Sequence, residues 1–238
     1  MADIVLLHPF PVDHRFWRDV AAALGAAGHS VTAPDLPGFG SRPPEPGWTM
    51  NGEADRLATQ VPAGATVVGL SMGGYLALAL ARRHPGVPGA LVLADTRAEG
   101  EAPEGLEARR EAAAGLRADG TEEFVTAFVP RAMWPGAAPA AVERLRDLAR
   151  AQSAQAMADA TTAIAGRDDQ VDLLPRIAVP TLVVVGEHDA ITPPALSTAM
   201  AAAIPRARLA IIGDAGHMSA LEHPEEFADL VVTPPARH

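Results

Sequence analysis

Residues 66–74 read TVVGLSMGG, a run rich in β-branched residues that leads into a Gly-x-Ser-x-Gly pattern centred on Ser71. An Ala- and Leu-rich segment with helical spacing follows at residues 72–83. A serine on so sharp a turn from strand to helix is crowded, and small residues two positions away on either side relieve the crowding. The pattern predicts either a nucleophilic hydroxyl raised above a sheet edge or a glycine-rich turn in which Ser71 only caps the helix.

Two later loops carry the side chains that a serine nucleophile requires. Residues 213–218 (GDAGHM) place His217 after the last predicted strand, and residues 186–189 (GEHD) place Asp189 after the strand before it. An imidazole can activate the hydroxyl as a base, and a carboxylate can orient that imidazole. Taken singly, His217 could be a surface-loop residue and Asp189 a helix cap. The order Ser, Asp, His at the ends of successive elements instead indicates a catalytic triad.

Short runs rich in Val, Ile and Leu alternate with longer amphipathic stretches along the chain. This alternation is typical of a parallel sheet covered by helices on both faces. It predicts an α/β fold with a doubly wound, mostly parallel sheet of six strands, at residues 3–7, 30–33, 66–69, 89–94, 181–186 and 208–212. We expect the main helices of this core over residues 15–26, 50–60, 72–83, 194–203 and 224–231.

One interval, residues 98–175, departs from this alternation. It shows helical periodicity without a convincing strand. Loops at the carboxyl ends of parallel strands build the ligand site in such sheets, so an insertion there would cover the crevice. We therefore expect residues 98–175 to form a helical cap, and residues 1–97 and 176–238 to form the α/β core. Within the cap the periodicity predicts helices over residues 106–118, 121–129, 140–165 and 168–174.

Composition excludes several classes of function. All 19 basic residues are arginine, which excludes mechanisms that need a lysine, such as Schiff-base chemistry and Walker-A phosphate binding. Without cysteine there is no thiolate metal site and no cysteine nucleophile. A net charge of −10 with dispersed arginines argues against nucleic acid as a partner. The N-terminus lacks a signal-peptide pattern and no apolar run could span a membrane, so we expect a cytoplasmic protein with no membrane partner.

Together these motifs resemble the α/β-hydrolase superfamily, and the resemblance covers nearly the whole chain. The chain is similar to small bacterial carboxylesterases and enol-lactonases that carry a helical cap. The resemblance implies that Ser71 is the nucleophile, His217 the general acid and base, and Asp189 the residue that orients His217. Besides the serine motif, the matching pieces are LLHPFP at residues 6–11, APDLPGFG at 33–40, GEHD at 186–189, AGH at 215–217 and EHPEEF at 222–227.

The resemblance also implies an oxyanion hole made by the main-chain N–H groups of Met72 and Phe10. The family usually has His-Gly where this chain has His8-Pro9, and because proline has no N–H, Phe10 must supply the second donor. The family commonly opens with an antiparallel pair of strands, whereas here the strand at residues 3–7 comes first. We therefore expect six strands, all parallel, in a fold that lacks the usual first two.

Apolar side chains near the crevice are candidates for the substrate pocket, although a helical cap also needs a core of its own. We predict that the pocket is lined by His8, Phe124, Phe128, Trp134 and Met218.

Two alternatives concern the acidic residues. Asp95 follows the fourth predicted strand, where some relatives place the orienting acid, so it competes with Asp189 for that role. A metal site made by His188, Asp189 and His217 is conceivable, but the chain has no His-Glu-x-x-His spacing and no dependable third ligand. We expect no metal and no cofactor.

The sequence thus predicts a serine hydrolase that cleaves a carboxylic ester or lactone of a small, largely apolar substrate through an acyl-enzyme. The superfamily also uses these residues for C–C bond hydrolysis, perhydrolysis, thioester hydrolysis and biosynthetic eliminations or cyclisations, which the fold alone does not separate. A ligand-binding protein that keeps the hydrolase shape without catalysis is a third interpretation. We expect a small-molecule partner and a monomer or homodimer.

Overall fold

Six short strands form one parallel sheet in the computed structural model, which describes residues 1–233. The strands lie in the order β2-β1-β3-β4-β5-β6, and every neighbouring pair is parallel. The prediction of six parallel strands is therefore confirmed. The strands are β1 (Asp3–Leu7), β2 (Ser30–Thr32), β3 (Ala65–Leu70), β4 (Pro88–Ala94), β5 (Thr181–Gly186) and β6 (Ala207–Ile212).

Helices cover both faces of the sheet. Within residues 1–233 these are α1 (Arg18–Ala26), α2 (Met50–Ala58), α3 (Met72–Arg83), α4 (Pro103–Asp119), α5 (Glu122–Ala132), α6 (Pro139–Arg150), α7 (Ala154–Ala165), α8 (Pro194–Ala203), α9 (Ser219–Glu222) and α10 (Pro224–Val232). Helix α1 packs against α10, and α2 packs against α3. Right-handed crossovers place α1 on the opposite face of the sheet from α2 and α3.

The direction of winding reverses between β1 and β3. From β1 the chain moves outward to the edge strand β2, whereas from β3 it moves through β4 and β5 to β6. Open α/β sheets bind ligands at the carboxyl ends of the strands where the winding reverses. Leu7 pairs with Gly69 across the two strands, so the loops that follow them emerge side by side. Those loops carry Phe10 and Ser71.

The chain between β4 and β5 forms α4, α5, α6 and α7, inside the predicted cap interval. The predicted single helix over residues 140–165 is wrong, because the chain breaks between α6 and α7. The side chain of Ser153 accepts a hydrogen bond from the N–H of Ala156 at 3.1 Å, and this N-cap starts α7 as a separate helix. The predicted helix over residues 168–174 is a 3₁₀ helix at Val171–Arg176 instead.

The predicted helix over residues 15–26 also begins differently. Its first turn is a 3₁₀ helix at His14–Trp17, and α1 starts at Arg18. The Asp13 carboxylate accepts the N–H of Arg15 at 3.0 Å, which fixes this tight first turn. The domain boundaries drawn at residues 98 and 175 stay a prediction, and residues 234–238 of the predicted core lie outside the described residues.

Candidate active site

Ser71 occupies a strained turn between β3 and α3. Its backbone has a φ of 53° and a ψ of −111°, in the left-handed half of φ/ψ space that non-glycine residues rarely adopt. The two glycines of the motif are required by close approach, since a Cβ atom on Gly73 would lie 2.0 Å from the carbonyl oxygen of Leu7. A Cβ atom on Gly69 would lie 2.2 Å from the carbonyl oxygen of Gly73. The turn thus holds the serine hydroxyl at the edge of the sheet.

Three side chains from distant parts of the chain meet in one hydrogen-bonded row. Nε2 of His217 lies 2.9 Å from Oγ of Ser71, and Nδ1 of His217 lies 2.8 Å from Oδ2 of Asp189. Asp189 stands in the loop after β5, and His217 stands in the loop after β6. All three residues are buried, with Ser71 the most exposed at 8%. The row can pass a proton from the hydroxyl to the imidazole while the carboxylate holds the ring.

The Asp189 carboxylate is held in the ionised form. Its Oδ1 accepts the N–H groups of Ile191 and Thr192, each at 2.8 Å, and its Oδ2 accepts the Thr192 hydroxyl at 2.7 Å. Burial opposes ionisation, but the interaction with His217 and these hydrogen bonds outweigh burial and lower the pKa of Asp189. A charged, fixed carboxylate beside Nδ1 favours the tautomer that leaves Nε2 free to accept a proton.

Asp95, the alternative orienting acid, does not reach the imidazole. It is fully buried, where its carboxyl accepts the N–H of Gly186 at 2.9 Å and the hydroxyl of Ser219 at 2.5 Å. Burial, and then the nearby charge of Asp189, raise the pKa of Asp95 well above its usual range. In this structure Asp189 contacts Nδ1 of His217, whereas Asp95 ties the end of β5 to α9.

The two predicted oxyanion donors lie just after the ends of β1 and β3, two neighbouring strands of the sheet. Neither the N–H of Phe10 nor that of Met72 donates to a protein acceptor within residues 1–233, and Met72 is the first residue of α3. His8 supports the Phe10 loop, because its Nδ1 donates to the carbonyl of Pro9 at 3.0 Å while its Nε2 accepts the N–H of Leu36 at 3.0 Å. Burial lowers the pKa of His8, which favours this neutral, bridging form.

A cavity of about 250 Å³ opens beside Ser71 and His217. Phe10 packs edge-on against Phe124, with ring centroids 5.5 Å apart, and Phe124 stacks on Phe128. The lining residues are Phe10, Ser71, Tyr75, Arg109, Phe124, Ala127, Phe128, Arg131, Ile164, Ile191 and His217. A larger groove of about 660 Å³ lies between α1 and α6, but none of the residues that line it is a candidate nucleophile.

Three of the predicted pocket residues do not line this cavity. His8 lies beneath the Phe10 loop, as described above. Met218 is fully buried just before α9, where it belongs to the hydrophobic core. Trp134 stacks on the ring of His188 with centroids 6.0 Å apart and is not among the residues that line the cavity. His188, Asp189 and His217 are not among the side chains within residues 1–233 whose ligand atoms lie close enough together to hold a metal ion.

Sequence reasoning missed Tyr75, Arg109, Ala127, Arg131, Ile164 and Ile191 as residues of the cavity. One signal could have found two of them. Residues 124, 127, 128 and 131 follow the i, i+3, i+4, i+7 spacing of one helix face, so the prediction for Phe124 and Phe128 extends to Ala127 and Arg131.

No helix in residues 1–233 has the length and apolar character needed to cross a membrane.

Comparison with known proteins finds similar sequences. A family model described as "Alpha/beta hydrolase family" matches residues 4–230. A pimeloyl-[acyl-carrier protein] methyl ester esterase of Neisseria meningitidis serogroup B (strain ATCC BAA-335 / MC58) is 34% identical over 234 residues, which covers 95% of this chain and 90% of that protein. The protein with the same name from Aromatoleum aromaticum is 34% identical over 256 residues, with 96% of each chain covered.

Two solved structures are also similar. A thermophilic esterase from Thermogutta terrifontis superposes with a TM-score of 0.93 and 35% identity, covering 97% of this chain and 88% of that one. An enol-lactonase from Burkholderia xenovorans LB400 superposes with a TM-score of 0.85 and 30% identity, covering 97% and 90% of the two chains.

Proposed function

The chain is an enzyme of the alpha/beta hydrolase family, and from that premise we propose that it cleaves a carboxylic ester or lactone through an acyl-enzyme on Ser71. The observation that carries this proposal is the 2.9 Å contact between Nε2 of His217 and Oγ of Ser71, with Asp189 on the other ring nitrogen. A hydroxyl is a weak nucleophile until a base takes its proton, and this contact supplies the base.

In the first half of the reaction, Nε2 of His217 takes the proton from Oγ of Ser71 while Oγ attacks the carbonyl carbon. The carbonyl oxygen becomes an oxyanion and accepts hydrogen bonds from the N–H groups of Phe10 and Met72. The tetrahedral intermediate then collapses. The ester C–O bond breaks, His217 gives its proton to the leaving alkoxide, and the acyl group stays on Ser71.

The second half releases the acid. A water molecule loses a proton to Nε2 of His217 and attacks the acyl carbon, and a second oxyanion forms in the same place. Collapse breaks the bond between the acyl carbon and Oγ of Ser71, which recovers its proton from His217. Asp189 remains ionised throughout and stabilises the imidazolium that forms in each half.

Several observations support an ester or lactone as the substrate. The relatives are named as methyl ester esterases, and the similar structures are an esterase and an enol-lactonase; all of these names refer to cleavage of an acyl C–O bond. The cavity is small and its wall is mostly apolar, which suits a small, largely apolar acyl or alcohol group. Thioester hydrolysis, C–C hydrolysis, perhydrolysis and elimination are the competing reactions on the same residues.

Kinetics with a substrate panel test the proposal. Short p-nitrophenyl esters, lactones and acyl thioesters are compared in wild type and in the variant Ser71→Ala, which should lose at least about 10³-fold in kcat. Ser197→Ala is the matched control, because Ser197 is buried in α8 and its hydroxyl has no hydrogen-bond partner within residues 1–233. Ester turnover that survives in Ser71→Ala contradicts the proposal. If wild type hydrolyses acyl thioesters far faster than esters, the reaction is thioester hydrolysis instead.

The remaining expectations stay predictions from the sequence: a small-molecule partner rather than nucleic acid or membrane, a monomer or homodimer, and a cytoplasmic location.

A further inference from the structure

Arg131 is a cation on the cavity wall without a partner in residues 1–233. Every other arginine in this part of the chain has a carboxylate or a main-chain carbonyl within hydrogen-bond reach, whereas the Arg131 guanidinium has neither. A free guanidinium offers a planar fork of N–H donors that matches a carboxylate. Arg131 is therefore equipped to bind an anionic group that the protein itself does not supply.

The permanent charges on the cavity wall are all positive, although the chain carries a formal charge of −10. Arg109 and Arg131 line the cavity, and no Asp or Glu does. Nε of Arg109 lies 2.6 Å from Glu101, but that carboxylate also accepts hydrogen bonds from Arg97 and Arg167. Because one carboxylate serves three guanidinium groups, positive charge remains in excess there as well. The potential inside the cavity therefore favours an anion.

The position of Arg131 fits a binding role. It continues the face of α5 that begins with Phe124, and it is exposed, whereas Ser71 and His217 are buried. Arg131 therefore combines a place on the cavity wall with contact with solvent. Its neighbour Ala132 accepts a hydrogen bond from the N–H of His217 at 2.8 Å, so this end of α5 lies against the loop that carries the imidazole.

A simpler reason for a basic residue at this place is the helix dipole. Arg131 lies in the last turn of α5, where a positive charge interacts favourably with the unpaired carbonyl groups. That role needs only a charge near the helix end and does not require the side chain to line the cavity. If Arg131 instead recognises the substrate, its charge raises kcat/KM for substrates that carry an anionic group and not for neutral ones.

We propose that Arg131 binds an anionic group of the substrate, so that the enzyme prefers esters that also carry a carboxylate. This inference rests on the proposed ester hydrolysis. The carboxylate can belong to either half of the ester: the acyl group, as in a half-ester of a dicarboxylic acid, or the leaving alcohol, as in an ester of a hydroxy acid. Phe124, Ala127 and Phe128 line the same cavity and supply an apolar wall for the rest of the substrate.

Two matched pairs of esters test this proposal and separate the two halves. Ethyl hydrogen glutarate is compared with the ethyl ester of glutaramic acid, and 4-acetoxybenzoate is compared with 4-acetoxybenzamide. In each pair a carboxylate replaces a carboxamide of nearly the same shape. The measurement is the ratio of kcat/KM for the charged ester to that for the neutral ester, in wild type and in variants of Arg131.

We expect wild type to favour the carboxylate in at least one pair, and Arg131→Gln to lower that ratio by about 10- to 100-fold. Arg131→Lys should retain part of the preference, and Arg131→Glu should reverse it. Arg110→Gln is the control, because Arg110 is an exposed arginine of α4 outside the cavity, and both ratios should stay at the wild-type value.

A ratio that Arg131→Gln leaves unchanged in both pairs overturns the proposal, as does a wild type that prefers both carboxamides. Equal loss on the charged and neutral esters also overturns it, because a purely structural role would act in that way. Failure of the underlying hydrolysis looks different: wild type would then hydrolyse none of the four esters, or Ser71→Ala would hydrolyse them as fast as wild type.

Discussion

The main-chain N–H of His217 donates a hydrogen bond to the carbonyl oxygen of Ala132, 2.8 Å away, and so attaches the loop that carries the imidazole to the end of α5. Glu222 makes a second connection between the same segments. Its carboxylate accepts the N–H of Trp134 at 2.9 Å and the N–H of Gly216 at 2.8 Å. The position of the imidazole therefore depends on the helices that cover it.

Glu222→Gln tests this connection. The amide keeps the shape of the side chain, but it replaces one acceptor oxygen with a donor, so the N–H of either Trp134 or Gly216 loses its partner. We expect the free energy of unfolding to fall by about 1–3 kcal/mol and kcat to fall because His217 is less well placed. Urea titration and steady-state kinetics measure the two effects. Glu226→Gln, on the exposed side of α10, is the control, and equal behaviour of the two variants would contradict a positioning role.

The two buried aspartates should respond differently to the same substitution. Asp189→Asn removes the charge that orients His217 and stabilises its protonated form, so kcat should fall by about 10³- to 10⁴-fold. Asp95→Asn should have a far smaller effect on kcat, because Asp95 does not contact the imidazole. If Asp95 were the orienting acid, the order of the two effects would be reversed.

Asp95 should also make stability depend on pH. Burial raises the pKa of Asp95, so the folded chain holds this proton more tightly than the unfolded chain does. The stability that the proton provides is present at low pH and is lost as the pH rises through the raised pKa. Asp95→Asn resembles the protonated carboxyl and does not titrate. We therefore expect the variant to gain stability relative to wild type as the pH rises above the ordinary pKa of an aspartate, measured by urea unfolding at a series of pH values. A difference in the free energy of unfolding that does not change with pH would contradict this.

Gly73→Ala should damage the turn that presents Ser71. A Cβ atom at this position meets the carbonyl oxygen of Leu7 at 2.0 Å, and that oxygen belongs to the backbone of β1, which cannot move freely. We expect a loss of about 1–3 kcal/mol in stability and a marked loss of activity. Gly115→Ala is the matched control, because α4 leaves open space there, and alanine should stabilise that helix by about 0.5–1 kcal/mol. Thermal unfolding measures the change in Tm for each variant, and equal changes in Tm would contradict the steric account.

The parts of the site that the sequence predicted are those that depend on local geometry and chain order. The Gly-x-Ser-x-Gly pattern reflects steric demands within one turn, and the loops after β5 and β6 follow directly from the alternation of strands and helices. The role of Phe10 as an oxyanion donor stays a prediction, which follows from the family resemblance and from the missing N–H of Pro9. These inferences require no knowledge of how the cap packs.

The walls of the cavity could not be predicted in the same way, because they depend on how the cap helices rest on the core. Trp134 follows α5, and only the packing of that helix decides that the indole turns toward His188 instead of the cavity. The break between α6 and α7 was hidden by an unbroken apolar periodicity, since Ser153 caps a new helix without a glycine or proline to mark the turn. From the sequence alone, Arg131 cannot be told apart from an ordinary surface arginine, because only the structure shows that it lines the cavity.

Covalent labelling tests the central claim most directly. Wild-type protein and Ser71→Ala are each treated with a fluorophosphonate, and the modified peptide is identified by mass spectrometry. The account predicts one adduct per chain, on Ser71, formed in step with the loss of ester turnover, and no adduct in the variant. Turnover that survives complete labelling, or an adduct on another residue that alone abolishes turnover, would contradict it.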